Sequence, residues 1–171
     1  MKKTNVSMYP KVLIDIDDLV VSESEARALE LAHRDGAKRL ATAEKTASYW
    51  RKMDVTLGAK EGLTRLRQQT SLSLLIRGPR AGESATATQW RQRWQYEWCL
   101  HFFRPICALP HGITVGEDHE HFKNVVKHAR ILLSKDSGLL LFVAGEVSAL
   151  DPSALTWPEI VDHVEKALVL L

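Results

Sequence analysis

An apolar run that leads into two aspartates near the start of the chain is the feature that most constrains its fold. Val12, Leu13 and Ile14 are followed by Asp15 and, two residues later, by Asp17. Such a run predicts a strand buried on both faces, as in parallel sheets. Open sheets of this kind bind ligands at the carboxyl ends of their strands. If strand geometry continues, Asp15 and Asp17 point into one crevice. A divalent metal ion and a phosphate would suit two carboxylates placed there.

The composition is that of an ordinary globular protein. A chain of 171 residues with 45% hydrophobic residues favours one domain with a sizeable core. The formal charge of +2 gives no argument for nucleic-acid or membrane binding. Cys99 and Cys107 form no Cys-x-x-Cys pair. No apolar signal segment precedes Lys11, so we expect a cytoplasmic protein with neither a membrane nor a nucleic acid duplex as partner.

Strand and helix patterns alternate from residue 57 onward. Apolar runs predict strands, and apolar residues spaced three or four apart predict helices. The strands cover 71–76, 113–115, 131–133 and 139–144, the helices 84–98 and 122–129, and a final helix begins near Thr156. This alternation is typical of a doubly wound α/β sheet. Residues 22–56 predict two or three charged helices, which we interpret as a small cap.

The Asp15-x-Asp17 stretch resembles the first motif of the haloacid dehalogenase (HAD) superfamily of phosphohydrolases, in which an apolar strand ends in Asp-x-Asp. Three later segments resemble the 5′(3′)-deoxyribonucleotidase branch of that superfamily and its phage and bacterial relatives: Leu57-Gly58-Ala59-Lys60-Glu61-Gly62-Leu63, Thr88-Gln89-Trp90 and Thr156-Trp157-Pro158-Glu159. The resemblance implies a single HAD-like domain over 1–171 with a Rossmann-like, doubly wound parallel sheet. The core would cover about 1–21 and 57–171, and a helical cap inserted after the first strand would cover about 22–56.

The resemblance also implies roles for the aspartates. The implied reaction is hydrolysis of a small phosphomonoester, with a nucleotide among the candidate substrates. Asp15 would attack phosphorus and become an aspartyl phosphate. Asp17 would act as a general acid and then as a general base. The implied cofactor is Mg²⁺, held by Asp15, by the main-chain carbonyl of Asp17 and by Asp136.

The implied phosphate ligands depart from the family pattern. A Ser or Thr should follow the strand that ends at Ile76, but Arg77 stands there. An arginine can hold a phosphate through two hydrogen bonds, so Arg77 is a candidate phosphate ligand. The family's phosphate-neutralising lysine corresponds to Lys123 or Lys127, and the spacing does not decide between them.

The fourth motif departs furthest from the family, which has an acidic pair at this point. Either Ser134-Lys135 or Lys135-Asp136 occupies that pair, depending on the register. In both registers Lys135 lies near the expected metal, and an ammonium there repels Mg²⁺. Two hypotheses therefore stay open. The chain is a phosphohydrolase, or it is a catalytically inactive HAD-like protein that binds a ligand or a protein partner.

Two further clusters have structural interpretations. Trp90, Trp94 and Trp98 follow one face of a predicted helix, which favours a core or a subunit interface over base stacking. A homodimer is accordingly among the expected states. His119 and His121 lie among acidic residues, and their spacing favours a solvated loop over a transition-metal site.

Overall fold

The computed structural model describes residues 10–19, 50, 53–79, 82–116, 125–135 and 148–170. Within these residues five strands form one sheet: β1 (Val12–Asp15), β2 (Leu72–Ile76), β3 (Ile113–Val115), β4 (Ile131–Leu133) and β5 (Ser148–Leu150). The same residues include three longer helices: α1 (Ala59–Gln69), α2 (Ala85–Cys107) and α3 (Trp157–Leu170). Residues 125–128 are also helical.

The sheet is parallel throughout, with the strand order β3-β2-β1-β4-β5. The chain runs outward from β1 through β2 to β3, and then crosses back to place β4 on the other side of β1. The strand order therefore reverses between β1 and β4, which is where open α/β sheets form their ligand crevices. The expected Rossmann-like α/β architecture is confirmed at this level.

Each central strand contributes side chains to two buried faces, because successive residues of a strand point to opposite sides. Val12 and Ile14 belong to a large apolar cluster that includes residues of α1, α2 and α3. Leu13 belongs to a second cluster with Leu132 of β4 and the buried residues of the segment 125–129. Burial on both sides explains why these strands have continuous apolar sequences.

Helices α1 and α3 pack closely because Gly62 has no side chain. A Cβ atom at Gly62 would lie 2.9 Å from Cε3 of Trp157, which is closer than carbon atoms normally approach. One turn further along α1, Arg65 forms ion pairs with Glu165 at 2.6 Å and with Asp162 at 3.5 Å. These ion pairs lie at the surface, where such pairs contribute little stability.

Several boundaries differ from the sequence-based expectations. The helix predicted over 84–98 continues to Cys107, with non-helical backbone angles at Phe103, two residues before Pro105. Strand β5 was not predicted, because its Ser-Ala-Leu sequence is largely exposed and lacks an apolar run. The predicted strand over 139–144 and most of the predicted cap over 22–56 lie outside the described residues.

The tryptophan face is only partly core. Trp98 is 4% exposed, whereas Trp90 is 48% exposed and stacks on Trp94 with ring centroids 6.0 Å apart. The core interpretation therefore holds for Trp98, whereas Trp90 is exposed, and a subunit interface at Trp90 stays a prediction. No helix in the described part of the chain is long and apolar enough to cross a membrane.

Candidate functional site

Three neighbouring strands end at one place on the carboxyl edge of the sheet. Asp15 is the last residue of β1, Arg77 directly follows β2, and Ser134 directly follows β4. Because β1 lies between β2 and β4, these three side chains converge on the crevice at which the strand order reverses.

The carboxylate of Asp15 is fully buried and accepts hydrogen bonds at both oxygens. Its Oδ2 accepts from Nε of Arg77 at 2.7 Å and from Oγ of Ser134 at 2.8 Å, and it forms an ion pair with Nη2 of Arg77 at 2.5 Å. Its Oδ1 accepts from the main-chain N–H of Asp17 at 3.1 Å. The guanidinium thus compensates the buried negative charge directly.

Asp17 lies at the crevice, but its backbone conformation differs from the extended one that was expected. The strand stops at Asp15, and Ile16–Asp18 forms a 3₁₀ turn in which the Asp15 carboxylate caps the N–H of Asp17. The expectation that strand alternation aligns the two carboxylates is therefore wrong, because the backbone leaves the extended conformation. Asp17 Oδ2 nevertheless lies 3.6 Å from Nε of Arg77, so both carboxylates contact one guanidinium.

Asp18 lies in the same turn and forms a second ion pair, with Lys135. Its Oδ2 accepts from the main-chain N–H of Lys135 at 3.3 Å, and its Oδ1 lies 4.0 Å from the Lys135 ammonium. The Asp18 side chain is 5% exposed and the Lys135 side chain is 38% exposed. Arg77 is thus the cation paired with Asp15, whereas the Lys135 ammonium lies near Asp18.

Burial and crowding of negative charge raise the pKa of two carboxyls in the site. Burial raises the pKa of Asp15, and repulsion by Asp17 adds to this, while the Arg77 guanidinium and the Ser134 hydroxyl oppose it. Burial and repulsion by Asp15 raise the pKa of Asp18 to about 7, against the opposing effect of Lys135. The pKa of the Asp18 carboxyl therefore lies near neutral pH.

The other residues expected at the site are not brought together in the described structure. Lys127 is exposed on the helical segment 125–128 and is not among the hydrogen-bond partners of Asp15. Lys123 and Asp136 lie outside the described residues. Within the described residues, no group of three or more His, Cys, Asp or Glu side chains is placed to hold a metal ion.

Sequence reasoning missed two polar contacts of the site. Ser134 was considered only as a replacement for a metal ligand, although its position directly after a buried strand signals the same crevice. Gln95 of α2 is 1% exposed, and its Nε2 donates to Asp17 Oδ1 at 3.5 Å. Gln95 carries no such signal, because only the packing of α2 against the sheet brings it near Asp17.

The fold and the site define a Rossmann-like α/β protein with a charged crevice at the carboxyl edge of its parallel sheet. A comparison with protein-family models finds no match, and a comparison with curated proteins finds none either.

Proposed function

We propose that this chain is a HAD-like protein that binds a small phosphorylated ligand without hydrolysing it. One observation carries the proposal: Oδ2 of the buried Asp15 accepts one hydrogen bond from Arg77 and one from Ser134, and it forms an ion pair with Nη2 of Arg77. In a HAD-like hydrolase, an oxygen of this carboxylate would have to be available for attack on phosphorus. Here an internal ion pair engages the carboxylate instead.

The described residues fit Mg²⁺ poorly. Mg²⁺ takes oxygen ligands, usually carboxylates, phosphates and water, in octahedral geometry. Beside Asp15 the neighbouring strand ends supply a guanidinium and a neutral hydroxyl, from Arg77 and Ser134. A metal ion bound to Asp15 would lie close to the Arg77 guanidinium, and their repulsion would be strong in a poorly solvated crevice.

The exposed charges favour a phosphorylated ligand. The Arg77 side chain is 22% exposed and the Lys135 side chain is 38% exposed, so each presents part of its surface to solvent near the crevice. Guanidinium and ammonium groups are the side chains that bind phosphate best. A ligand phosphate could therefore be held by these cations while Asp15 stays paired.

The second candidate function is phosphohydrolysis without a metal ion, through Asp15 and Asp17. It is favoured by Oδ1 of Asp15, which accepts one hydrogen bond in the described structure, from the Asp17 N–H. That oxygen keeps a lone pair, and the Asp17 carboxylate is 19% exposed at the crevice. This function requires Arg77 to stabilise the phosphoryl group rather than Asp15.

A phosphatase assay separates the two functions. The wild-type protein should hydrolyse neither a generic aryl phosphate nor a panel of nucleoside monophosphates above the level of Asp15→Asn, with or without Mg²⁺. The physical reason is that Asp15 is buried and paired. Turnover by the wild type that Asp15→Asn abolishes would contradict the proposal, and its dependence on Mg²⁺ would show whether a metal takes part.

Restoring the family's residues should create metal binding. We expect Mg²⁺ to bind the variant Arg77→Thr/Ser134→Asp/Lys135→Asp at least about tenfold more tightly than the wild type, since two cations are removed and carboxylates are added. Calorimetry measures the affinity. A Mg²⁺-dependent rise in melting temperature would show that Mg²⁺ binds the folded state in preference to the unfolded state. Lys135→Met is the matched control, because it removes a charge without adding a ligand. Equal affinity in the wild type and the triple variant would contradict the metal part of the proposal.

A further inference from the structure

Arg91 is a buried arginine in the second turn of α2, with 3% of its surface exposed. Its guanidinium contacts Glu83 through Nε at 2.8 Å and through Nη2 at 2.9 Å. Nη2 also donates to the carbonyl of Gly78 at 2.7 Å. Nη1 donates to the carbonyl of Arg77 at 3.3 Å and to Oε1 of Gln95 at 2.9 Å. A guanidinium has five N–H donors, and these contacts use all of them.

Three of the groups that accept hydrogen bonds from Arg91 belong to residues at or beside the crevice. Two are consecutive carbonyls of the loop after β2, which carries Arg77 to Asp15. Gln92 supports the same loop by donating to the Arg77 carbonyl at 3.0 Å. Glu83 compensates the buried charge of Arg91, so the network satisfies the requirements of a buried cation.

The contact with Gln95 fixes the direction of an amide. Because Oε1 of Gln95 accepts from Arg91, the amide nitrogen points the other way, toward Oδ1 of Asp17 at 3.5 Å. Arg91 is therefore linked indirectly to both carboxylates of the crevice. The Arg77 loop connects it to Asp15, and Gln95 connects it to Asp17.

We propose that Arg91 is a positioning residue for the crevice, which holds the Arg77 loop so that the guanidinium of Arg77 stays on Asp15. The inference deepens the proposed function, since it concerns the same ion pair. The positioning role of Arg91 does not require that the protein lack phosphatase activity, because it concerns only how the Arg77–Asp15 ion pair is held. A purely structural Arg91 would stabilise the fold without changing the interaction between Arg77 and Asp15.

The test is a double-mutant cycle for Arg77 and Asp15, measured by urea unfolding of the full chain. The variants are Arg77→Met, Asp15→Asn and their combination, each made with wild-type Arg91 and with Arg91→Met. The ratio of the four unfolding constants gives a coupling constant for the pair. We expect Arg91→Met to lower this coupling constant at least about tenfold. Arg93→Met is the matched control, because Arg93 is an exposed arginine of the same helix, and it should leave the coupling constant within about threefold.

A second variant keeps the test decisive if Arg91→Met does not fold. Glu83→Gln preserves the size of Glu83 but removes the charge that holds Arg91, and it should lower the coupling constant in the same direction. NMR of the Arg77 Nε–H provides an independent signal, since this proton should exchange with water faster once its loop is released.

The outcomes distinguish the two proposals. A strong coupling that stays within about threefold in Arg91→Met and Glu83→Gln would overturn the positioning role and leave the proposed function intact. Hydrolysis by the wild type together with a coupling lost in Arg91→Met would overturn the proposed function and support the positioning role. Absence of coupling with wild-type Arg91 would overturn the positioning role, because there would be no pair to position.

Discussion

Arg77→Met is expected to lower the free energy of unfolding by about 3–5 kcal/mol, the usual cost of removing one partner of a buried ion pair. The reason is that Asp15 has no exposed surface and would lose its main counterion. Methionine retains most of the aliphatic side chain, so the loss reports the charge more than the packing. Urea denaturation at neutral pH measures the effect.

Two comparisons test this explanation. Arg77→Met/Asp15→Asn should lose less stability than the sum of the single variants, because the double variant leaves no uncompensated charge. Arg65→Met removes an arginine from the exposed pair with Glu165, and it should cost less than about 1 kcal/mol. Equal losses for Arg77→Met and Arg65→Met would mean that water compensates Asp15, contrary to its burial.

Asp18 is expected to make the protein less stable as the pH rises from about 4 to about 7. Its pKa is raised from the ordinary value of 3.8 to about 7 by burial and by repulsion from Asp15. Over this window the folded state binds more protons than the unfolded state, so the free energy of unfolding falls as pH rises. The shift corresponds to at most about 4 kcal/mol, and no further loss from this group occurs above its folded-state pKa.

Asp18→Asn should remove this pH dependence, since asparagine does not titrate and can still accept the hydrogen bond from the Lys135 N–H. The free energy of unfolding of the variant minus that of the wild type should therefore be larger above about pH 7 than near pH 4. Urea denaturation at both pH values gives the difference. The control is Asp162→Asn at an exposed position of α3, which should keep the wild-type slope. A wild-type slope in Asp18→Asn would show that Asp18 ionises normally.

The charges of the crevice favour the proposed ligand binding over phosphatase catalysis. A Mg²⁺-dependent phosphatase brings a cation that leaves its carboxylates accessible to the substrate. In this protein the cation beside Asp15 is a side chain of the neighbouring strand end, with two nitrogens in contact with one oxygen. Removing one partner of such a buried pair destabilises the fold, and the intact pair reduces the availability of Asp15.

Much of the fold follows from local patterns in the sequence. The apolar run Val12–Ile14 can be buried only between two covered faces, so it specifies a central parallel strand ending at Asp15. The spacing of apolar residues likewise specified α3, because this helix buries one face. Strand β5 escaped prediction because it lies at a sheet edge and needs little apolar sequence.

The residues that contact Asp15 depend on the order of the strands in the sheet, which no local sequence pattern encodes. Arg77 lies 62 residues from Asp15 in sequence and Ser134 lies 119 residues away. They meet only because β2 and β4 pair with the two edges of β1. The local pattern therefore specified an aspartate at a strand end, and the tertiary structure decided that an arginine and a serine surround it. Contacts between distant segments arise from strand pairing and helix packing, and these depend on the whole chain.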